Sequence, residues 1–211
     1  MAVSASPTVA RDPDSQAVGS CALTFDDGPD PVWTPRLLAC LDEQGARATF
    51  FVMAGRAAAH PWLIARMRAQ GHEIALHCVR HIRHTEIDER TLRHDTRSGL
   101  RLLERLGVRV RHWRPPWGVT TAASRSIAAE LGLELVRWDL DTHDWSGDSA
   151  DAMHARVASG MRAGSVVLMH DGLGPGATRS DCRETVRLVP ALLATLRAVG
   201  LRPAPVRDLR P

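Results

Sequence analysis

Two carboxylates stand side by side at Asp26-Asp27, straight after the apolar run Cys21-Ala22-Leu23 and straight before Gly28-Pro29. A strand that ends in two adjacent acids and then breaks contributes little to a core, but it holds two acidic groups close together for unlike tasks. One carboxylate can bind a metal ion while its neighbour handles a proton. Downstream, His77 and His81 are four residues apart. At that spacing two imidazoles reach one ion from either a helical turn or a strand-to-loop corner. With one carboxylate of the Asp pair they make a two-histidine, one-carboxylate set, which leaves coordination positions open for water and a substrate oxygen. A late His170-Asp171-Gly172 adds a proton carrier. The chemistry these residues imply is metal-dependent hydrolysis.

The elements that must position them follow from periodicity and punctuation. Residues 1–19, rich in Ser, Ala, Pro and Asp, read as a flexible lead-in, and 20–211 as one catalytic domain. Strands are expected at 21–25, 48–53, 73–77, 110–113, 133–138, 165–169 and 201–206. Helices are expected from Thr34-Pro35 to about Gly45, and at 61–70, 88–106, 121–131, 149–159 and 183–199, several stopped by glycine. About seven strands alternating with about six helices predict an α/β fold with parallel strands, and a closed or nearly closed single-domain (β/α) barrel suits the length. Asp26-Asp27, His77, Arg114, the 139–145 segment and His170 all fall at carboxyl ends of strands, where the loops of such a barrel converge.

Bulk composition excludes other classes. The net charge is only +3 and the 27 basic residues, all Arg, are scattered, unlike the concentrated basic face of a nucleic-acid binder. The missing Tyr and Lys read as coding bias. No run approaches the ~20 apolar residues of a membrane span, and residues 1–20 lack a secretory apolar core, so a cytoplasmic location is expected. The four cysteines form no CxxC pair and read as reduced, mostly buried thiols.

Five segments in order carry a resemblance: Thr24-Phe25-Asp26-Asp27-Gly28-Pro29, His77…His81, Arg114-Pro115-Pro116-Trp117-Gly118, Asp141-Thr142-His143-Asp144-Trp145 and Leu168-Met169-His170-Asp171. They resemble the ordered motifs of the NodB-homology polysaccharide deacetylases, carbohydrate esterase family 4, over about residues 20–209. The single-domain layout, including the 183–193 tail, is similar to that of its rhizobial chitooligosaccharide deacetylases. The resemblance implies a distorted (β/α) barrel and a divalent metal, usually Zn2+, with Co2+, Ni2+ or Mn2+ as alternatives. It makes Asp27, His77 and His81 the metal ligands and Asp26 the general base for the attacking water. Arg114 would hold Asp26 ionised, His170 would be the general acid, and Asp144 would orient and charge His170. Trp145 and Leu168 would wall a pocket for an acetyl methyl, and the backbone N–H of Trp117 would help stabilise the oxyanion.

Three departures bear on substrate. Cys78 stands where the family usually has Ser or Thr, and reads as a small supporting residue rather than a ligand. Ile82-Arg83-His84 replaces the usual Pro and small polar stretch, and Trp117 replaces a Tyr. Among the remaining histidines, His84 and His143 are expected to line the cleft, and the others to be surface or structural. Trp33, Trp62, Trp113 and Trp138 read as core. Gly172-Leu173-Gly174-Pro175-Gly176 lacks the Lys and spacing of a phosphate loop and reads as a flexible loop beside the acid. Arg179 and Arg183 either face solvent or meet an anionic substrate group. The expected substrate is an N-acetylated amino sugar or short chitooligosaccharide. A small N-acylated metabolite is the alternative, and a catalytically silent metal-stabilised carbohydrate-binding domain the second.

Overall fold

The computed structural model describes residues 19–209. The expected lead-in lies outside them except for Gly19, which opens the first strand. The strands are β1 (Gly19–Asp26), β2 (Thr49–Met53), β3 (Glu73–Cys78), β4 (His112–Trp113), β5 (Glu134–Leu135), β6 (Leu140–Asp141), β7 (Val166–His170) and β8 (Leu201–Pro203). The helices are α1 (Trp33–Glu43), α2 (Ala54–Ala59), α3 (Pro61–Ala69), α4 (Glu89–Arg105), α5 (Ala122–Leu131), α6 (Ala150–Val157) and α7 (Arg183–Ala198). None of these helices is long and apolar enough to cross a membrane.

Seven strands run in the order β5-β4-β3-β2-β1-β7-β6, and β8 pairs the start of β1. Every pairing is parallel. β1 is buried along its whole length, as a central strand covered on both faces must be. The helices cover the outside, and their apolar faces join the outward-facing strand residues in one core containing Phe25, Phe50, Leu76, Trp113, Leu188 and Leu192. The result is a distorted (β/α) barrel, left unpaired between β5 and β6.

The expected strand at 133–138 is cut short at that gap. After Leu135 the chain leaves the ladder and bridges the opening. The Val136 N–H donates to the Trp113 carbonyl, and the Asp139 N–H to that of Val166. The chain then re-enters the sheet as the two-residue β6, an element its sequence does not announce. The short α2 is likewise unannounced, because Ala-Gly-Arg-Ala-Ala-Ala follows β2 without a turn signal and offers no apolar period. Elsewhere the punctuation works as expected. Asp88 caps α4 by accepting from the Thr91 N–H. Thr121 and Ser124 form a capping box on α5, and Gly132 ends that helix at φ 65°. Thr34 does not cap α1. Asp30 does that work by accepting the N–H groups of Val32 and Trp33, and the Thr34 hydroxyl donates to Asp171 instead.

Candidate active site

Asp26 closes β1, and its register partner on β7 is His170. The next residue, Asp27, takes a left-handed φ of 72°, which an Asp tolerates better than a branched or bulky side chain. The turn brings Asp27 Oδ1 to 3.4 Å from His77 Nε2 and 3.3 Å from His81 Nε2. All three ligand atoms lie within 4.8 Å of one another. Two donors at tetrahedral zinc distances of ~2.05 Å stand about 3.3 Å apart, so this spacing is that of a ligand set.

The polar groups fit an ion as well. Asp27 Oδ1 is buried and accepts no hydrogen bond. His77 Nδ1 sits 2.7 Å from the Arg114 carbonyl, a contact that places a proton there and turns Nε2 toward Asp27 as the atom that would bind an ion. Burial and the neighbouring His77 push His81 down to about 4, so it is a neutral donor at physiological pH. Burial opposes ionisation of Asp27, yet the attraction of His77, with smaller contributions from His170 and His81, holds its carboxyl well below the usual range. Burial also opposes charge on His77, but the two aspartates outweigh it and raise its pKa. Cys78 is not part of the set, and burial keeps its thiol protonated.

Asp26 is held by a buried cation. Arg114, fully buried, donates through Nη1 to Asp26 Oδ1 at 2.8 Å and to Thr24 Oγ1 at 2.7 Å. Its guanidinium lies 4.0 Å over the Phe51 ring, so the fork cannot swing away.

Opposite, Asp144 is the hub of the second polar group. Its Oδ1 is 2.7 Å from His170 Nδ1, and its Oδ2 accepts from the His170 N–H, Thr185 Oγ1 and Arg179 Nη1. Burial disfavours charge on His170, but the Asp144 carboxylate prevails and lifts it to about 9. Arg179 neither faces solvent nor waits for substrate. It is buried, and also donates to the His170 carbonyl. A lone Arg in a Gly-rich loop carries no sequence signal for that role. Arg183 is exposed and faces Asp181.

These groups face a cavity of about 460 Å³ walled by Trp117, Trp138, Trp145, Leu168 and the 172–177 loop. That loop presses its backbone onto the ligand set: a Cβ on Gly174 would lie 1.9 Å from Asp27 Oδ2. Arg56 of the unannounced α2 ties the two segments together by donating to the carbonyls of Asp27 and Leu173. Asp171, also missed, accepts from the Gly28 N–H and Thr34 Oγ1, and burial raises it to about 7.

Some expectations fail here. His84 is buried away from the cavity, bonded to Ser124 on α5 and set against Trp113. His143 is outside the lining too, held left-handed at the surface. Trp138 is not core, because it lies on the bridge across the barrel gap and so faces the cavity. Trp62 is 51% exposed on α3. The remaining expected site residues, Asp26, Asp27, His77, His81, Arg114, Trp117, Asp144, Trp145, Leu168 and His170, come together at this one end of the barrel.

Known proteins carry the same arrangement of sequence and fold. The family profile described as polysaccharide deacetylase matches residues 14–136. The chain is 34% identical over 203 residues to a chitooligosaccharide deacetylase of Bradyrhizobium sp. (strain ANU 289), covering 93% of each. It is 33% identical over 190 residues to a peptidoglycan-N-acetylglucosamine deacetylase of Bacillus cereus, covering 89% of this chain and 86% of that one. A family 4 carbohydrate esterase from Streptomyces lividans, solved in complex with acetate, matches at a TM-score of 0.81 and 32% identity, covering 89% of this chain and 93% of the other. The chain belongs to the polysaccharide deacetylase family, whose members are hydrolytic deacetylases acting on carbon–nitrogen amide bonds.

Proposed function

We propose that this protein removes the acetyl group from an N-acetylated amino sugar within a short oligosaccharide, with Asp26 and His170 as base and acid. One observation carries the reading. The two residues are register partners on β1 and β7, each is hydrogen-bonded to its own oppositely charged partner, and both face the cavity that holds the Asp27, His77 and His81 ligand atoms.

Asp27, His77 and His81 would hold a divalent ion, zinc by preference, which supplies Lewis acidity to the acetamide carbonyl and acidifies water. Asp26 accepts the proton of the attacking water, and the charge-assisted hydrogen bond from Arg114 holds that carboxylate in position. The backbone N–H of Trp117, whose residue lines the cavity, would stabilise the negative charge that develops on the former carbonyl oxygen. His170 then donates a proton to the leaving amine. Its Nδ1 is engaged by Asp144, so the proton comes from Nε2. With its pKa lifted to about 9, His170 enters the reaction as imidazolium at neutral pH. Leu168 and Trp145 accept the acetyl methyl.

The names of the relatives point to a glycan rather than a small metabolite, and two half-open indoles at the cavity mouth, Trp117 and Trp145, suit the faces of sugar rings. Acetate release from N-acetylglucosamine oligomers of graded length tests the reading. The metal-loaded protein should release acetate and the chelator-treated protein should not. No release from any oligomer, with metal bound, would refute it and favour the silent binding domain.

A further inference from the structure

Several arginines stand near the cleft, and all but one are spent. Arg114 is committed to Asp26 and Thr24, Arg56 to two carbonyls, and Arg179 to Asp144 and the His170 carbonyl. Arg83 is the exception among the described residues lining the cavity. Its nearest carboxylate, on the exposed Glu86, faces Nε at 3.9 Å, which is too long for a hydrogen bond. The guanidinium lies 4.4 Å over the Trp117 indole. That stacking fixes the plane of the fork and strips part of its hydration, without using its N–H groups.

The position of the stack is informative. Trp117 meets His81 edge-on, with ring centroids 4.2 Å apart. The free guanidinium therefore sits one indole away from the ligand set where the acetamide must bind. That is the reach of a substituent on the same sugar ring or on the next one. The lining also includes Trp145 and Trp138, which are largely apolar, and Asp141, whose Oδ1 already accepts the His143 N–H. Among the described residues lining the cavity, no other arginine is free to meet an anion, because Arg179 is bound to Asp144.

We propose that Arg83, seated on Trp117, is a specificity residue that reads a carboxylate on the glycan. The preferred substrate is then an N-acetylated oligosaccharide bearing a carboxylate beside the scissile acetamide, as in alternating N-acetylglucosamine and N-acetylmuramic acid, whose lactyl ether is anionic. A neutral N-acetylglucosamine oligomer leaves the fork unused. A planar fork and a carboxylate pair through two charge-assisted hydrogen bonds, and Arg is the side chain built for that contact. This inference rests on the deacetylase reading above and narrows its substrate.

The test compares wild type, Arg83→Gln and Arg83→Lys on two peptide-free tetrasaccharides, one neutral and one with alternating lactyl carboxylates. Acetate release gives kcat and KM, and calorimetry on the metal-free proteins gives binding. For Arg83→Gln on the anionic glycan, kcat/KM should fall roughly tenfold, mostly through KM, with a matching loss in binding; the contact is half-exposed, which limits its size. The neutral glycan should respond little, and Arg83→Lys should recover part of the loss. Equal losses on both glycans would make Arg83 only a prop for Trp117, and no loss on either would remove it from recognition; each result overturns the proposal. Failure of the wild type to release acetate from either glycan would count against the deacetylase reading. The binding data would still decide the role of Arg83.

Discussion

Asp144→Asn removes one negative charge and almost no volume from the group that surrounds His170. In the wild type, burial alone would push the imidazole below its ordinary value of 6.5, and Asp144 is the leading reason it reaches about 9 instead. Without that charge the burial cost is left standing, and the pKa should drop to 6.5 or lower. At pH 8 a histidine of pKa about 9 is roughly nine-tenths protonated, whereas one of about 6.5 is near one-thirtieth, so the supply of general acid falls about thirtyfold. A bound dication opposes charge on His170 in both proteins, so the direct readout is the histidine ring-proton titration of the metal-free proteins. The signal that titrates near 9 in the wild type should move to 6.5 or below. In the metal-loaded proteins, the alkaline limb of kcat/KM should move to lower pH in the same direction. The sign for stability is also set. A raised histidine pKa stabilises the fold fully below 6.5, and the stabilisation is lost as pH rises through about 9. The variant should lack that alkaline decline. An unmoved titration and an unmoved limb would refute the assignment of Asp144 as the group that charges His170.

Further outcomes follow from other contacts. Arg114→Gln leaves Asp26 buried without its cation and should cost about 3 to 5 kcal/mol of unfolding free energy, measured by urea denaturation at unchanged m. Gly174→Ala drives a methyl into the Asp27 carboxylate and should weaken zinc binding roughly 10- to 100-fold in a chelator competition, with the fold retained. Because His77 is raised above 6.5 in the metal-free protein, binding must expel its proton. Zinc affinity should therefore climb with pH from about 6.5 upward, by up to about tenfold per unit, and level off once His77 is neutral; His81, at about 4, adds nothing in that range.

Much of the site is legible in the sequence because its residues sit at strand ends, where local signals are strong. Asp26, Asp27, His77 and His170 end apolar runs, and a parallel sheet must bring such ends to one side. Asp144 and Arg114 are placed by motif spacing. What stays hidden depends on tertiary packing. Arg179 acts because its loop folds back onto Asp144, and nothing local distinguishes it from a solvated arginine. Trp138 turns to the cavity only because β5 stops early and the chain bridges an open seam. His84 lies on the catalytic side in sequence, yet Ser124 and Trp113 draw it into the packing behind the wall. The short α2 and β6 lack the length at which periodicity becomes readable.

The central claim is that the adjacent acids do different work, Asp27 as ligand and Asp26 as base. Metal content and acetate release, measured side by side on Asp26→Asn and Asp27→Asn, test it most directly. Asp26→Asn should keep one equivalent of zinc and lose at least about a hundredfold in acetate release, the lower bound for a general base. Asp27→Asn should lose the metal and the activity together. Retained activity in Asp26→Asn, or full zinc binding in Asp27→Asn, would contradict the division of labour on which the mechanism depends.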